Sequence, residues 1–182
     1  LGLTAEDQSS HAAWDQGALG VAQKLSHLLN AVLVASQASR LLYDCNRPPS
    51  ATSAMPTRSE LIDIPGNKDL SATEKSQRVK LFYEPFREQL HQAMMRRPDP
   101  ILVTVHSFTP VYFGKPRALK IGILHDSDTR LADAMLDISN EERDKNIKRN
   151  APYGPEDGVT HTLQEHAISR GHLNVMLEIR ND

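Results

Sequence analysis

The alternation of short apolar runs with amphipathic segments predicts an α/β fold with helices on both faces of a central sheet. Two runs, residues 101–107 and 174–180, are rich in aliphatic and β-branched residues and have the length of strands. Segments at helical spacing separate the apolar runs along the chain. In sheets of this kind the functional side chains collect at the carboxyl ends of strands, so those ends are where a site is expected.

The composition is that of a globular chain and excludes several classes of function. The 182 residues fit one domain spanning 1–182, and the net charge of −2 gives no electrostatic reason to expect binding to nucleic acid or to an anionic membrane. No apolar run approaches the roughly 20 residues that span a bilayer. The single cysteine, Cys45, excludes an intrachain disulfide framework and favours a reducing, cytoplasmic setting.

The first half of the chain predicts a helix, two strands and a long loop. Leu19, Ala22 and Leu25 recur at helical spacing within an amphipathic helix over 17–30. The short apolar runs at 31–36 and 40–45 are typical of strands. The following prolines remove amide donors and fix φ, so residues 46–71 are expected to form a loop.

The second half predicts a long helix followed by alternating strands and helices. Ser71 and Glu74 form a capping box, which opens a helix that continues to about Met95. The remaining predicted elements are a strand at 101–107, a strand at 118–124, a helix opened by Asp126 or Asp128, a helix ending at Gly171 and a strand at 174–180.

Three predicted strands end in polar clusters, at residues 43–47, 105–109 and 177–182. Taken singly, each cluster has an ordinary structural explanation. His106 is either a hydrogen-bonded core histidine or a metal ligand, and Glu178 is either half of an ion pair or a general base. Asn46 and Arg47 either stabilise a turn or bind a carboxylate. Three such ends together indicate a site assembled from separate strands.

The motifs DCNRPP, IPGN, HSFTPV, NAPYG and EIRND occur in this order along nearly the whole chain. In this combination the chain resembles the N-formylglutamate amidohydrolase family, within the zinc metallocarboxypeptidase-like superfamily. The resemblance implies a three-layer αβα fold with a central mixed, mostly parallel sheet, as in zinc carboxypeptidases. It also implies one zinc ion and a small anionic N-acyl amino acid as substrate, most simply N-formylglutamate cleaved to formate and glutamate.

The resemblance implies a role for each matching residue. His106 would bind the zinc, and Glu178 would act as general base, with Arg40 as a second catalytic candidate that stabilises the oxyanion. The implied substrate-binding residues are Asn46, Arg47, Tyr153 and Arg180. Asp44 would orient Arg47.

One departure from the family pattern concerns the metal. The family takes a first zinc-binding segment, E-H-x-x-N, from a stretch just ahead of an L-G-L sequence, and this chain begins with LGL. The resemblance therefore implies that the chain as given lacks that N-terminal strand segment. His11 and Asp15, expected one helical turn apart, would either bind the metal or orient the missing segment. Alternatively, Asp15 caps a helix and His11 is exposed.

The sequence contains six further histidines, and it leaves two other functions open. His27, His91, His125, His161 and His172 lack ligand spacing and are expected at the surface, and His166 either faces the cleft or packs between helix and sheet. A metallocarboxypeptidase or another N-acyl amino acid deacylase would use the same scaffold. A non-catalytic carboxylate-binding domain would keep Asn46 and Arg47 without the metal.

Overall fold

The computed structural model describes residues 1–141 and 146–182, and the chain divides into two units. The first unit comprises Leu1–Trp14 and Val34–Ala93, and the second comprises Asp15–Leu33 and Met94–Asp182. Each unit is described by itself below. The assignment of residues 1–182 to a single domain stays a prediction.

The described elements alternate along the chain. The helices are α1 (Ala5–Ser9), α2 (Ala18–Leu29), α3 (Ala72–Arg78), α4 (Glu84–Met94), α5 (Arg130–Glu141) and α6 (His161–His166). The strands are β1 (Arg58–Ser59), β2 (Ile62–Asp63), β3 (Leu102–Phe108), β4 (Val111–Tyr112), β5 (Lys115–Pro116), β6 (Ile121–Leu124), β7 (Ile147–Arg149) and β8 (Asn174–Arg180). A π-helical turn, Val79–Tyr83, joins α3 to α4, so the predicted long helix is present but changes its winding once.

The second unit is built on a four-stranded sheet in the order β3-β8-β6-β7. Strands β3 and β8 are parallel, β8 and β6 are antiparallel, and β6 and β7 are parallel. The predicted mixed sheet is therefore confirmed, with two of its three strand pairings parallel. The finer carboxypeptidase-like topology stays a prediction.

Helix α5 covers one face of this sheet. Ala132 and Leu136 on the helix pack against Ile123 of β6 and Val175 of β8, and all four side chains are buried. Burying apolar side chains of this size stabilises the fold by about 1.5–3 kcal/mol for each large one. Because α5 takes the face of Ile123 and Val175, alternate residues of β8, including Glu178, point to the other face.

The first unit holds most of the predicted long loop. Asn67, of the IPGN motif, is buried, and its side-chain amide donates to the carbonyl oxygens of Leu41 (2.8 Å) and Pro56 (2.6 Å). The Arg78 guanidinium donates to the Asn67 side-chain oxygen at 2.6 Å. The Asn67 side chain thus links several turns of a segment that has little regular structure.

The strands expected at residues 31–36 and 40–45 are absent from the described structure, so these two predictions are wrong. The second run forms turns in which Leu41 and Tyr43 are fully buried. Its apolar residues contribute to two hydrophobic clusters of the first unit, and burial of the side chains requires no strand pairing.

Within the described ranges, no helix combines the length and the apolar character needed to cross a bilayer.

Candidate active site

His106 and Glu178 lie side by side at the carboxyl ends of two parallel strands. The register pairs His106 of β3 directly with Glu178 of β8, and residues paired in this way point to the same face of a sheet. Glu178 is only 5% exposed. Burying an ionised carboxylate is costly unless it is paired or functional, and the role of Glu178 as general base stays a prediction.

Asp15 fixes the orientation of His106. The His106 Nδ1 donates to Asp15 Oδ2 at 2.8 Å, and both side chains are largely buried. The neighbouring Ser107 donates through Oγ to the carbonyl oxygen of Gln16 at 2.8 Å. Two consecutive residues of β3 therefore bind the segment just before α2, and this segment places Asp15 beside the imidazole. The sequence did not predict this contact, and a role of Asp15 as a metal ligand stays a prediction.

His11 belongs to the first unit and has its own partner there. Its Nε2 lies 2.9 Å from Glu60 Oε1. Residues 10–17 form turns and bends and not a helix, so the expected spacing of His11 and Asp15 by one helical turn is wrong. Asp15 also does not cap α2, because Gly17 occupies the N-cap position. A role of His11 as a metal ligand stays a prediction.

The DCNRPP motif forms a hydrogen-bonded turn in the first unit. Asp44 Oδ1 accepts from the backbone N–H of Asn46 at 2.9 Å, and Asp44 Oδ2 lies 4.0 Å from Nε of Arg47. The Arg47 guanidinium also donates to the carbonyl oxygen of Asn46 at 3.0 Å. Asp44 thus contacts Arg47 as the sequence suggested. The binding of a substrate carboxylate by Asn46 and Arg47 stays a prediction.

Two further predicted arginines are engaged with the protein. The Arg180 Nη1 donates to the carbonyl oxygen of Arg117 at 2.7 Å, and Nε donates to Asp182 Oδ1 at 2.7 Å. This hydrogen bond lowers the pKa of the Asp182 carboxyl. Arg40 lies in a turn of the first unit, where its backbone N–H donates to the carbonyl oxygen of Ala13. The functional roles of both arginines stay predictions.

The loop that carries Tyr153 passes directly over the sheet beside Glu178. Gly122 of β6 is the register partner of Glu178, and a Cβ at this position would collide with the carbonyl oxygen of Ala151. Only glycine allows this approach. The loop therefore comes within van der Waals contact of the strand position next to the buried carboxylate, and Tyr153 follows two residues later.

The zinc site that the family resemblance implies stays a prediction. A histidine whose Nδ1 is held by a carboxylate has the arrangement common to metal-ligating histidines, which then bind through Nε2. Zinc sites in proteins typically have three or four protein ligands. In the described ranges, no three His, Cys, Asp or Glu side chains come together to hold a metal ion. His106 and Asp15 thus fit one ligand and its orienting partner, and they do not fit a complete zinc site.

The expectation that His125 lies at the surface is wrong. It is 9% exposed, its Nδ1 donates to the carbonyl oxygen of Asp126, and its Nε2 accepts from Arg149 at 2.9 Å. The partners that bury it are distant in sequence, so spacing alone gave no signal. His166 is also buried, on α6, which packs against β3 and β8.

Comparison with known proteins bears on the whole chain. The model of a family described as N-formylglutamate amidohydrolase matches residues 1–182. A crystal structure of the gene product Atu2144 from Agrobacterium tumefaciens is 55% identical, with a TM-score of 0.96. That similarity covers 100% of this chain and 73% of the Agrobacterium chain. No curated protein matches the sequence.

Proposed function

Because this chain belongs to the N-formylglutamate amidohydrolase family, we propose that it hydrolyses the amide bond of a small anionic N-acyl amino acid. The substrate that best fits the family is N-formylglutamate, and the products are formate and glutamate. The observation that supports a hydrolytic site is the pairing of a carboxylate-oriented histidine with a buried glutamate in one strand register.

Glu178 is the general base of this proposal. It accepts a proton from the attacking water while the water oxygen adds to the formyl carbon, and it then passes the proton to the departing amine. Positioned proton transfer of this type contributes about 10²–10⁴ in rate. The buried setting keeps the carboxylate away from bulk water, which would otherwise weaken its interactions.

Asp15 and His106 form the metal-binding part of the proposed site. Asp15 accepts the hydrogen bond from Nδ1, which makes Nε2 the nitrogen through which His106 would bind zinc. Zinc, when bound, supplies Lewis acidity toward the amide carbonyl and favours ionisation of water. The remaining ligands would come from residues other than the pair described here. His11 stays a candidate for one of them.

The test is a comparison of substrates by the zinc-loaded protein. We expect release of formate and glutamate from N-formylglutamate, and a much smaller turnover of a peptide with a free C-terminal residue. Preferential cleavage of the peptide would favour the carboxypeptidase alternative. If none of a panel of N-acyl amino acids is cleaved by protein that contains stoichiometric zinc, the proposed hydrolysis is wrong.

A further inference from the structure

Arg117 is a cation without a counter-anion near the candidate active site. Five other arginines of the described chain have a carboxylate within 4.0 Å: Arg47 with Asp44, Arg58 with Asp63, Arg130 with Asp128, Arg149 with Asp133 and Arg180 with Asp182. Arg117 forms no ion pair with any described residue. Its Nη1 is buried and has no hydrogen-bond partner among the described residues. A buried donor that makes no hydrogen bond costs about 1–3 kcal/mol, and more if the group is charged. An acceptor at this atom would therefore be stabilising.

Aromatic rings surround the Arg117 guanidinium. Its Cζ lies 4.3 Å from the ring centroid of Tyr112, 5.4 Å from that of Tyr153 and 5.5 Å from that of Phe108. The guanidinium donates from Nη2 to the Tyr153 hydroxyl at 3.3 Å. Cation–π contacts hold the charge in place but do not neutralise it. An anion that reached this low-dielectric setting would be bound more strongly than at an open surface.

The backbone of Arg117 is fixed at the same edge of the sheet as the candidate site. Its N–H donates to the carbonyl oxygen of Pro110 at 2.7 Å, and its own carbonyl accepts from Arg180. Phe108, one of the three rings, lies two residues beyond His106 on the same face of β3. Two residues advance a strand by roughly 7 Å. Arg117 therefore lies at the same end of the sheet as the pair formed by His106 and Glu178.

We propose that Arg117 binds the side-chain carboxylate of the substrate and so makes the site selective for acidic N-acyl amino acids. This inference rests on the proposed function, because it takes Glu178 and His106 to mark the scissile amide. In extended N-formylglutamate, five bonds separate the formyl carbon from the side-chain carboxyl carbon, a span of roughly 6 Å. The carboxylate would be the acceptor that the buried Nη1 lacks among the described residues.

The experiment compares a charged substrate with a neutral one of nearly the same shape, N-formylglutamate and N-formylglutamine. For the wild type we expect kcat/KM to favour N-formylglutamate. Arg117→Met should lower kcat/KM for N-formylglutamate about 10–100-fold, since it removes a charge-assisted hydrogen bond, and should change that for N-formylglutamine less than threefold. Arg117→Lys keeps the charge and should restore part of the preference. Lys115→Met, an exposed cation of the same hairpin, should change neither value by more than twofold.

Binding measurements separate this inference from the proposed function. Calorimetric titration of both compounds into Glu178→Gln protein, with and without Arg117→Met, measures the preference without turnover. Equal losses for the two compounds in the Arg117 variants would overturn the proposal and assign Arg117 a structural role. A preference unchanged by Arg117→Met would overturn it too. If the wild type cleaves neither compound, the proposed function fails, but a charge preference in binding that depends on Arg117 still supports this inference.

Discussion

His106 and Glu178 are register partners on neighbouring parallel strands, and their Cα atoms are therefore about 5 Å apart on one face of the sheet. Strands that pair in parallel keep their carboxyl ends together, so a polar residue near the end of each strand meets its neighbour without help from a loop. Rigid strands position side chains more precisely than loops do. The Glu178 carboxylate and the His106 imidazole thus owe their proximity to the sheet itself.

Replacing Glu178 with glutamine tests its role in proton transfer. The amide has nearly the same shape but cannot accept a proton, so we expect kcat to fall about 10²–10⁴-fold. Stability should not fall, because the change removes a buried negative charge. Steady-state kinetics and urea unfolding measure the two effects, and Glu156→Gln, an exposed carboxylate near Tyr153, is the control. Full activity of Glu178→Gln would remove Glu178 from the mechanism.

Replacing Asp15 with asparagine tests the orientation of His106. We expect zinc affinity and kcat/KM to fall about 10–100-fold, since partners that orient a ligating histidine typically contribute this much. Zinc affinity is measured by competition with a chromogenic chelator. Glu60→Gln alters the partner of His11 in the same way. If the Glu60 variant weakens zinc binding and the Asp15 variant does not, His11 is the ligand histidine of the two.

Strands β3 and β8 and the N-terminal cap of α3 were predictable because they depend on residues close together in the sequence. The runs that form β3 and β8 are rich in aliphatic and β-branched residues, and Ser71 and Glu74 form the expected capping box. Contacts across long stretches of sequence were not predictable in detail. Asp15 and His106 are 91 residues apart, and no spacing rule brings them together.

Two of the wrong predictions concern burial. An apolar run indicates burial, and in Arg40–Cys45 the burial is achieved in turns, without strand pairing. His125 was assigned to the surface because it lacks the spacing of a metal ligand, whereas Arg149 lies beside it in space. Burial is a property of the tertiary structure and is only weakly encoded in the local sequence.

Replacing Gly122 with alanine tests the approach of the Tyr153 loop to the sheet. The new methyl group would collide with the carbonyl oxygen of Ala151, so either the strand or the loop must shift. We expect a loss of about 1–3 kcal/mol in the free energy of unfolding and a higher KM. Gly20→Ala is the matched control, because an added methyl group meets no described atom there, and a helical alanine should stabilise the protein by about 0.5–1 kcal/mol. An unchanged KM in a folded Gly122 variant would separate the loop from substrate binding.

The stability of the second unit should fall in acid through Asp126. Its carboxylate accepts from Thr160 Oγ1 at 2.6 Å and from Gln164 Nε2 at 2.8 Å. Burial by itself raises the pKa of Asp126, but these hydrogen bonds and one from the Ser127 N–H outweigh burial and lower the pKa. The folded pKa therefore lies below the unfolded value of about 3.9, so the stabilisation is complete above that pH and is lost as the pH falls through the folded pKa.

Urea unfolding between pH 7 and pH 2 measures this dependence. Asp126→Asn should be less stable than the wild type at pH 7, and the difference should shrink below about pH 4, where the wild-type carboxyl becomes protonated. Thr160→Val removes one donor and should reproduce part of the loss at pH 7. Thr160→Ser keeps the hydroxyl and should retain the wild-type pH dependence. A difference between the wild type and Asp126→Asn that stays constant down to pH 2 would show that the hydrogen bonds, and not the charge, stabilise this region.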